Sequence, residues 1–393
     1  MMLGLLLARA GLTVTVVEKH ADFLRDFRGD TLHPSTLEII HDLGLYEELE
    51  RLPHQKVARL SAAFGDFETE VADFSHLPVR SPFIMLMPQW DFLDFLRRAG
   101  EREPGFTCLM RTEATGLVEE AGRVVGLELQ TQGGPAELRA PLVVAADGRK
   151  SVLRAAAGLA VEELGAPIDV MWFRLPRKAT DTDQTGGRFD RGRLFVRIFR
   201  GDYWQCAFVI PKGTADTVRE RGIEAFRAEV ASLVPFEPDR ADALRSFDDV
   251  ALLSVAVDRL RTWHRPGLLC IGDAAHAMSP VAGVGINLAI QDAVAAANIL
   301  TGPMQAGNVT DADLAAVEKR RLLPTRLVQR AQVFAHERIL GPVLRSGDAP
   351  TRPPLPIRLL ARFPILRRIP ARLVGMGIRP ERVRSPDVRI SGE

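Results

Sequence analysis

One continuous stretch in the second half of the chain constrains the fold more than any other. Leu268–Ile271 is a short apolar run that predicts a strand buried on both faces of a sheet. Gly272 and Asp273 follow at its carboxyl end, a loop rich in glycine and proline comes next, and an alanine-rich run predicts a long helix over about 286–300. A strand, a small-residue turn and a helix in this order are typical of the ligand-binding edge of an α/β sheet.

The loop in this stretch has the chemistry of a ligand site. Small residues let the backbone approach a ligand closely, and the start of a helix offers unpaired N–H groups with partial positive charge. Such a start can hold an anion, or a ring that becomes anionic on reduction. The carboxylate of Asp273 can accept a hydrogen bond from a ribityl or sugar hydroxyl. The binding candidates are Gly272, Asp273, Pro280, Gly283 and Gly285.

A second junction of the same kind lies earlier in the chain. Leu142–Ala146 is another short apolar run, and Asp147 and Gly148 follow it at once. An Asp-Gly pair after a strand is often only a turn signal. Because Ser151–Ala157 has a helical composition, however, we interpret this segment as a strand–turn–helix junction, where α/β folds place ligands.

The first residues predict half of a dinucleotide-binding unit. Met1–Ala10 favours a helix, Gly11 is suited to its end, and Thr13–Val17 predicts a buried strand that ends in Glu18. An acid in this place binds a ribose hydroxyl about 20 residues beyond a glycine-rich turn. We therefore expect the first strand and its G-x-G-x-x-G turn to be encoded upstream. The alternative is an ordinary buried strand with a solvated acid at its end.

The following segment predicts a second helix. Ser35 and Glu38 fit a capping box, and Gly44 is placed to end the helix. Arg28 precedes the helix in a loop that leaves the sheet. Its guanidinium could meet a diphosphate through charge-assisted hydrogen bonds, and the alternative is a surface arginine.

Charge and cysteine usage exclude several classes of protein. With 51 Lys and Arg against 50 Asp and Glu, the chain has no global attraction to nucleic acid. The three cysteines are far apart and form no CxxC motif, which favours a reduced, cytoplasmic compartment. The eight histidines form no HExxH pattern, so we expect no metal site.

The end of the chain differs from the rest in charge. Residues 351–393 contain ten arginines and three acidic residues among Leu, Ile, Val and Pro. This composition predicts a basic amphipathic segment that Pro364 and Pro370 interrupt. We favour helices docked on their own protein over attachment to a membrane surface.

These motifs, in this order, resemble the FAD-dependent aromatic hydroxylases, the single-component flavoprotein monooxygenases typified by p-hydroxybenzoate hydroxylase. The run from Gly272 to Asp292, GDAAH-x3-P-x2-G-x-G-x-N-x4-D, is similar to the second flavin motif of that family. Asp147-Gly148 is similar to its DG motif, and Gln89 is similar to its flavin-contacting glutamine. The chain departs from the family at Val284, where many members have Gln, and in lacking the first flavin motif and an added thioredoxin-like domain.

The resemblance implies FAD as the cofactor and NADH or NADPH as co-substrate. It implies that Asp147 and Gly148 serve both cofactors and that the following residues bind parts of FAD: Glu18 the adenosine ribose, Arg28 and Gln89 the diphosphate–ribityl region, Asp273 the ribityl chain, and Gly285, Ile286 and Asn287 the isoalloxazine ring.

The implied reaction is hydroxylation of a phenolic or polycyclic aromatic substrate by NAD(P)H and O2 through a flavin C4a-hydroperoxide. We assign no catalytic side chain. Two alternatives stay open at this point. One is an FAD-dependent dehydrogenase, reductase or halogenase of the same fold, and the other is a non-catalytic protein that cannot retain FAD without the first strand.

The predicted fold is α/β, with an N-terminally truncated Rossmann-like FAD-binding domain, an inserted β-sheet substrate module and a C-terminal helical region. Candidate substrate contacts, which we keep apart from the binding residues, are Trp172, Arg174, Trp204, Gln205 and Phe208. The predicted bounds are 1–74, 91–160 and 253–305 for the FAD-binding parts, 75–90 for a substrate-module strand, 161–252 for the sheet module and 306–393 for the helical, basic tail.

Overall fold

The computed structural model describes residues 1–24, 31–181, 185–234, 238–345, 347 and 351–388. Within these ranges the α-helices are α1 Met2–Arg9, α2 Pro34–Asp42, α3 Tyr46–Glu50, α4 Gln89–Gly100, α5 Val152–Ala156, α6 Ala215–Glu220, α7 Ile223–Ala231, α8 Val284–Gln305, α9 Asp311–Ala335, α10 Gly341–Arg345, α11 Leu355–Arg362 and α12 Arg368–Gly375. A π-helical turn, His336–Leu340, joins α9 to α10.

Most of the strands come in runs of four or five between these helices. They are β1 Val14–Val17, β2 Thr31–Leu32, β3 Gln55–Val57, β4 Arg59–Phe64, β5 Phe67–Asp73, β6 Ile84–Leu86, β7 Phe106–Leu109, β8 Glu113–Glu120, β9 Arg123–Thr131, β10 Gly134–Arg139, β11 Val143–Ala145, β12 Val161–Glu163, β13 Ile168–Pro176, β14 Gly186–Asp190, β15 Arg193–Phe199, β16 Tyr203–Pro211, β17 Ala251–Ser254, β18 Asp258–Leu260, β19 His264–Arg265 and β20 Leu268–Cys270. The α/β class is confirmed.

Short parallel strands form the first layer. β1 pairs in parallel with β7, and β11 pairs in parallel with β20. Helix α1 packs closely on the first pair, because a Cβ on Gly4 would lie 2.7 Å from Val16 and 3.0 Å from Phe106. The largest apolar core of the described chain joins α1, α2, α4 and α8 to these strands.

The burial of β1 differs from the prediction. We expected Thr13–Val17 to be buried on both faces, but all four residues of β1 are partly exposed. Among the described strands β1 has one hydrogen-bonded neighbour, β7, and no described strand joins this pair to β11 and β20. Its side chains therefore lack the cover that a second neighbouring strand would provide.

A seven-stranded sheet forms the second layer, in the order β17-β13-β16-β15-β14-β4-β5. One face packs against α6 and α7, where Phe173 and Phe208 contact the ring of Phe226. The opposite face carries Val170, Leu194 and Val209 and packs against the π-helical turn.

The predicted assignment of strands to this sheet differs from the structure in two places. β4 and β5, which lie in the range 1–74 that we assigned to FAD binding, belong to the seven-stranded sheet. The strand expected in 75–90 is β6, and it pairs with β2 and β3 instead. Backbone pairing between distant segments decided both cases, and the other domain bounds stay predictions.

The capping box predicted for α2 is also wrong. The helix begins at Pro34, its N-cap is His33, and no side chain caps it. The carboxylate of Glu38 instead accepts hydrogen bonds from Arg80 and Arg382. Proline is favoured at the first helical position because its missing N–H would have had no partner there.

The C-terminal region is helical, as predicted. Helix α9 begins with a capping box in which Thr310 and Asp313 bond each other's backbone N–H groups. The segment Val281–Gln305 is long and apolar enough to cross a membrane, but 67% of its apolar window is buried inside the protein, as in a core helix.

Candidate active site

Two parallel strands bring the two predicted motifs together. β11 and β20 are in register from Val143 opposite Leu268 to Ala145 opposite Cys270, so both strands end at the same edge of the sheet. Asp147-Gly148 and Gly272-Asp273 follow these ends. The guanidinium of Arg149 lies 3.6 Å from the carboxylate of Asp273, which places the two segments in contact.

The first of these segments is fixed by the helix that follows it. The backbone N–H of Leu153 donates to the carboxylate of Asp147 at 3.2 Å, and Ser151 caps α5 by accepting from the N–H of Arg154 at 2.9 Å. This N-cap position agrees with the predicted strand–turn–helix junction. Gly148 has a φ of +86° with open space where a Cβ would point, so backbone conformation rather than crowding favours glycine there.

The second segment places a carboxylate beside the start of α8. Gly272 is buried with a φ of +59°, and a Cβ there would lie 3.0 Å from the Cβ of Ala289. The side chain of Asp273 is 34% exposed. Its Oδ1 lies 4.0 Å from the place where a Cβ on Gly285 would be. The Asp273 carboxylate is therefore accessible and borders the helix start.

The backbone N–H groups at the N-terminus of α8 have no capping side chain, as the sequence predicts. Its N-cap is Gly283, and no side chain caps the helix. The unpaired N–H groups of the first turn therefore keep their partial positive charge, at the end of a helix of 22 residues. Gly283 has a φ of +61°, and a Cβ there would lie 2.1 Å from the hydroxyl oxygen of Thr31. Glycine is required at this position.

The side chain of Asn287 is engaged within the protein. Its Oδ1 accepts from the N–H of His33 at 2.8 Å and from the hydroxyl of Thr36 at 2.7 Å. Its Nδ2 donates to the carbonyl oxygens of Thr31 and Gly283, both at 3.0 Å. The side chain thus holds the start of α8 against residues 31–36. The expectation that Asn287, at the helix start, supports the isoalloxazine ring stays a prediction. Sequence reasoning had no signal for these partners.

A buried network of charged side chains holds the turn at Gly272 in place. Asp292 accepts from the N–H of Gly272 at 3.1 Å, contacts His276 at 2.6 Å and accepts from Arg321 at 2.9 Å. Arg321 also donates to Glu381 at 3.3 Å. Burial by itself would raise the pKa of Asp292, but His276 and Arg321 hold it below its ordinary value. The carboxylate therefore stays ionised and anchors Gly272. Arg321 and Glu381 lie outside the motif, and the sequence analysis missed them.

A second polar pair lies under the loop before α8. The hydroxyl of Ser279 and Nε2 of His336 are 2.9 Å apart, and both side chains are buried. His336 opens the π-helical turn, a rare geometry that is frequent at functional sites. Burial lowers the pKa of His336, so its imidazole is neutral near pH 7. Neither residue stands out from its neighbours in the sequence.

The remaining predicted binding residues lie on other elements. Glu18 directly follows β1, and its carboxylate accepts from the N–H of His20 at 2.9 Å. Gln89 is the first residue of α4, and Pro280 and Ile286 flank the uncapped start of α8. Arg28 lies outside the described residues. The ligand roles of these side chains stay predictions.

The structure separates the candidate substrate contacts by the sheet face they occupy. Trp204 and Phe208 are core residues on the face covered by α7. Gln205 is buried and accepts from Arg200, and Arg174 stacks over Tyr203 at 4.8 Å. Trp172 packs on the opposite face, in the apolar cluster that includes Val281 of the loop before α8. Of the five, Trp172 is the one that shares an apolar cluster with the loop before α8.

Acidic, histidine and cysteine side chains do not gather into a metal-binding group in the described ranges. The polar groups that follow the two strand ends include the accessible carboxylates of Asp147 and Asp273, the guanidinium of Arg149 and the amides of a helix start. This set suits a ligand with hydroxyl groups and a polar ring edge.

Comparisons with known proteins agree with this geometry. Residues 1–331 match the family model described as an FAD binding domain. The chain is 33% identical to 6-methylpretetramide 4-monooxygenase of Streptomyces rimosus over 400 residues, which cover 98% of this chain and 91% of the relative.

Solved structures share the fold. PqsL of Pseudomonas aeruginosa, in complex with 2-aminobenzoylacetate, aligns with a TM-score of 0.72 at 21% identity, over 87% of this chain and 94% of that chain. The p-nitrophenol 4-monooxygenase PnpA from Pseudomonas putida DLL-E4 aligns with a TM-score of 0.72 at 18% identity, over 94% and 93%.

Proposed function

The chain belongs to the FAD-dependent aromatic hydroxylase family and is an FAD-dependent monooxygenase, and from this premise we propose that it takes electrons from NADH or NADPH and hydroxylates a phenolic or polycyclic aromatic substrate with O2. The family match and the monooxygenase relative establish the class of enzyme. The electron donor and the substrate class are our proposals.

The residues at the sheet edge fit FAD. Asp273 offers an accessible carboxylate to the ribityl hydroxyls, and the uncapped start of α8 offers N–H groups to the polar edge of the isoalloxazine ring. Glycines at 283 and 285 keep side chains out of the approach to this helix start. When bound, the flavin supplies the redox chemistry that activates oxygen.

The observation that carries the proposal is the contact between Arg149 and Asp273 at the ends of two adjacent parallel strands. It joins the DG segment to the second flavin segment in one site. Because the DG segment lies at this site, we assign the surface around Gly148 to the approach of the nicotinamide donor. Glu18, Arg28 and Gln89 stay assigned to the adenosine and diphosphate part of FAD.

For the substrate we propose the region where the loop before α8 meets the adjacent face of the seven-stranded sheet. Val170, Leu194 and Val209 of this face are buried against the π-helical turn, so we assign contact with the substrate ring to the partly exposed Trp172 beside them. Ser279 and His336 are the neighbouring polar pair. A relative over almost the whole chain is a monooxygenase whose name gives 6-methylpretetramide as its substrate, which supports a polycyclic substrate here.

The test begins with the absorption spectrum of the purified protein in the flavin bands. Phenolic and polycyclic aromatic compounds are then screened for stimulation of NADH or NADPH oxidation, and products are analysed by mass spectrometry under 18O2. We expect one labelled oxygen atom in the product. Flavin that oxidises substrates without incorporating label indicates a dehydrogenase or reductase, and that result would overturn the proposal.

The assignment of Asp273 is tested by the Asp273→Ala variant. A hydrogen bond to a charged group is worth about 1.5–3 kcal/mol, so we expect FAD affinity to fall about 10- to 150-fold. The fold should persist, because the side chain is accessible rather than part of the core. The matched control is Asp216→Ala, at a carboxylate that is 86% exposed in the sheet module. Equal FAD retention in all three proteins would refute the assignment.

A further inference from the structure

Six large apolar side chains are exposed on the tail between residues 351 and 376. Their exposed fractions lie between 42% and 66%, and they belong to α11, α12 and the short turn between the two helices: Leu355, Leu359, Phe363, Ile365, Ile369 and Leu373. We call this set the outer face of the tail. Soluble proteins expose single apolar residues commonly, but a continuous series of this kind marks an interaction surface.

The inner side of the same helices is firmly docked on the protein. Ile357 packs with Ala62 and Phe64 of β4. Ala371 is fully buried, and a Cβ on Gly375 would lie only 3.0 Å from Leu77. Docking on the protein therefore occurs, as the sequence predicts, but it uses one side of each helix and leaves the outer face uncovered.

The outer face is also strongly basic. Residues 351–376 contain six arginines and no acidic residue. Arg367 turns inward and donates to Glu70 at 2.6 Å. Arg358, Arg362 and Arg372 are exposed, and no carboxylate in the described part of the chain lies within ion-pair distance of them.

Apolar and basic side chains alternate along each helix on this outward side. In α11, Leu355 and Leu359 are exposed beside Arg358 and Arg362. In α12, Ile369 and Leu373 are exposed beside Arg368 and Arg372. Helices that lie in a membrane interface have this pattern, because the apolar side chains enter the acyl boundary while long arginine side chains reach the headgroups.

We propose that the outer face of the tail binds the surface of a bilayer that contains anionic lipids. An anionic bilayer is the partner that satisfies both features at once, since it offers negative headgroups and an apolar layer just below them. Symmetric pairing with a second copy would bring two arginine-rich faces together without any carboxylate from residues 351–376 of either copy. An acidic partner protein is the remaining alternative, and the experiment distinguishes it.

The test is co-sedimentation of the full chain, loaded with FAD, with two kinds of vesicle. One contains phosphatidylcholine alone, and the other also contains about 30% phosphatidylglycerol, which makes its surface anionic. We expect binding to the anionic vesicles that weakens as salt is raised, and little binding to phosphatidylcholine alone. The Arg358→Gln/Arg372→Gln variant should lose about 30-fold in partition coefficient. The Ile365→Ser/Ile369→Ser variant should lose about tenfold or more.

The matched control is Arg51→Gln/Arg245→Gln, which removes two exposed arginines outside the tail and should bind vesicles like the parent. Flavin content and far-ultraviolet circular dichroism verify that each variant is folded. The proposal fails if the parent does not bind anionic vesicles at low salt, or if the tail variants bind as well as the control. It also fails if the parent forms a dimer in light scattering that the Ile365→Ser/Ile369→Ser variant abolishes, or if an acidic polypeptide competes for the face while vesicles do not.

Discussion

Replacement of Asn287 by Ala tests whether this side chain binds the flavin or holds the protein together. Its carboxamide makes four hydrogen bonds, two accepted and two donated: three join the start of α8 to residues 31–36, and the fourth is to the carbonyl of Gly283 at the N-cap of the same helix. Alanine removes every one of them. Residue 287 is 2% exposed, so water has little access to replace the lost partners.

The expected cost follows from the groups left behind. The N–H of His33 and the hydroxyl of Thr36 both lose their acceptor, and the carbonyl of Thr31 loses this donor, whereas the carbonyl of Gly283 still accepts from the hydroxyl of Thr31 at 3.0 Å. Each buried polar group without a partner costs about 1–3 kcal/mol, so two of them cost about 2–6 kcal/mol. This is a large part of the roughly 5–15 kcal/mol by which a typical domain is stable.

The assay is urea unfolding of the FAD-free protein, followed by circular dichroism, with the slope of the transition compared between variants. Asn298→Ala is the matched control on the same helix, because its bonds to Arg382 and Arg384 are exposed and its bond from the N–H of Ser385 is only partly buried, so water can replace them. We expect that control to lose less than about 1 kcal/mol. If Asn287→Ala is as stable as the control yet has lost FAD, the side chain is a ligand contact and the reasoning is refuted.

Three further predictions concern the same part of the structure. Gly283→Ala should destabilise the protein by at least about 2 kcal/mol through its positive φ and its collision with Thr31, and adding Thr31→Ala should recover the steric part in a double-mutant cycle. Burial lowers the pKa of His33 to about 4, below its ordinary value of about 6.5, so the unfolded chain binds more protons between these pH values. The free energy of unfolding should therefore fall by up to about 3 kcal/mol as pH is lowered from about 6.5 to 4, and a His33→Gln variant that keeps the parent's slope would contradict this. Asp292→Asn leaves the buried guanidinium of Arg321 with Glu381 as its remaining carboxylate partner and should cost about 3 kcal/mol in urea unfolding, whereas an unchanged midpoint would show that the network is dispensable.

Local patterns predicted the class of fold and the main features of the site. Short apolar runs at Val143–Ala145 and Leu268–Cys270 are strands because they suit burial on both sides, and the turns after them contain Gly148 and Gly272 with positive φ. The start of α8 lacks a capping side chain, as its glycine-rich approach indicates. These features depend on residues that are close together in the chain. The sequence predicts them without knowledge of which distant segments they contact.

The tertiary structure decided which distant segments meet. The amide of Asn287 could equally face a ligand or the protein, and only the position of residues 31–36 shows that it is used internally. Tail composition indicates an amphipathic segment, but which side faces solvent depends on the docking of Ile357 and Ala371. Likewise, β4 and β5 joined the seven-stranded sheet because their edge paired with a strand far along the chain. Hydrogen bonds and packing between remote residues leave no trace in local composition, so sequence reasoning identified the elements but not these contacts between them.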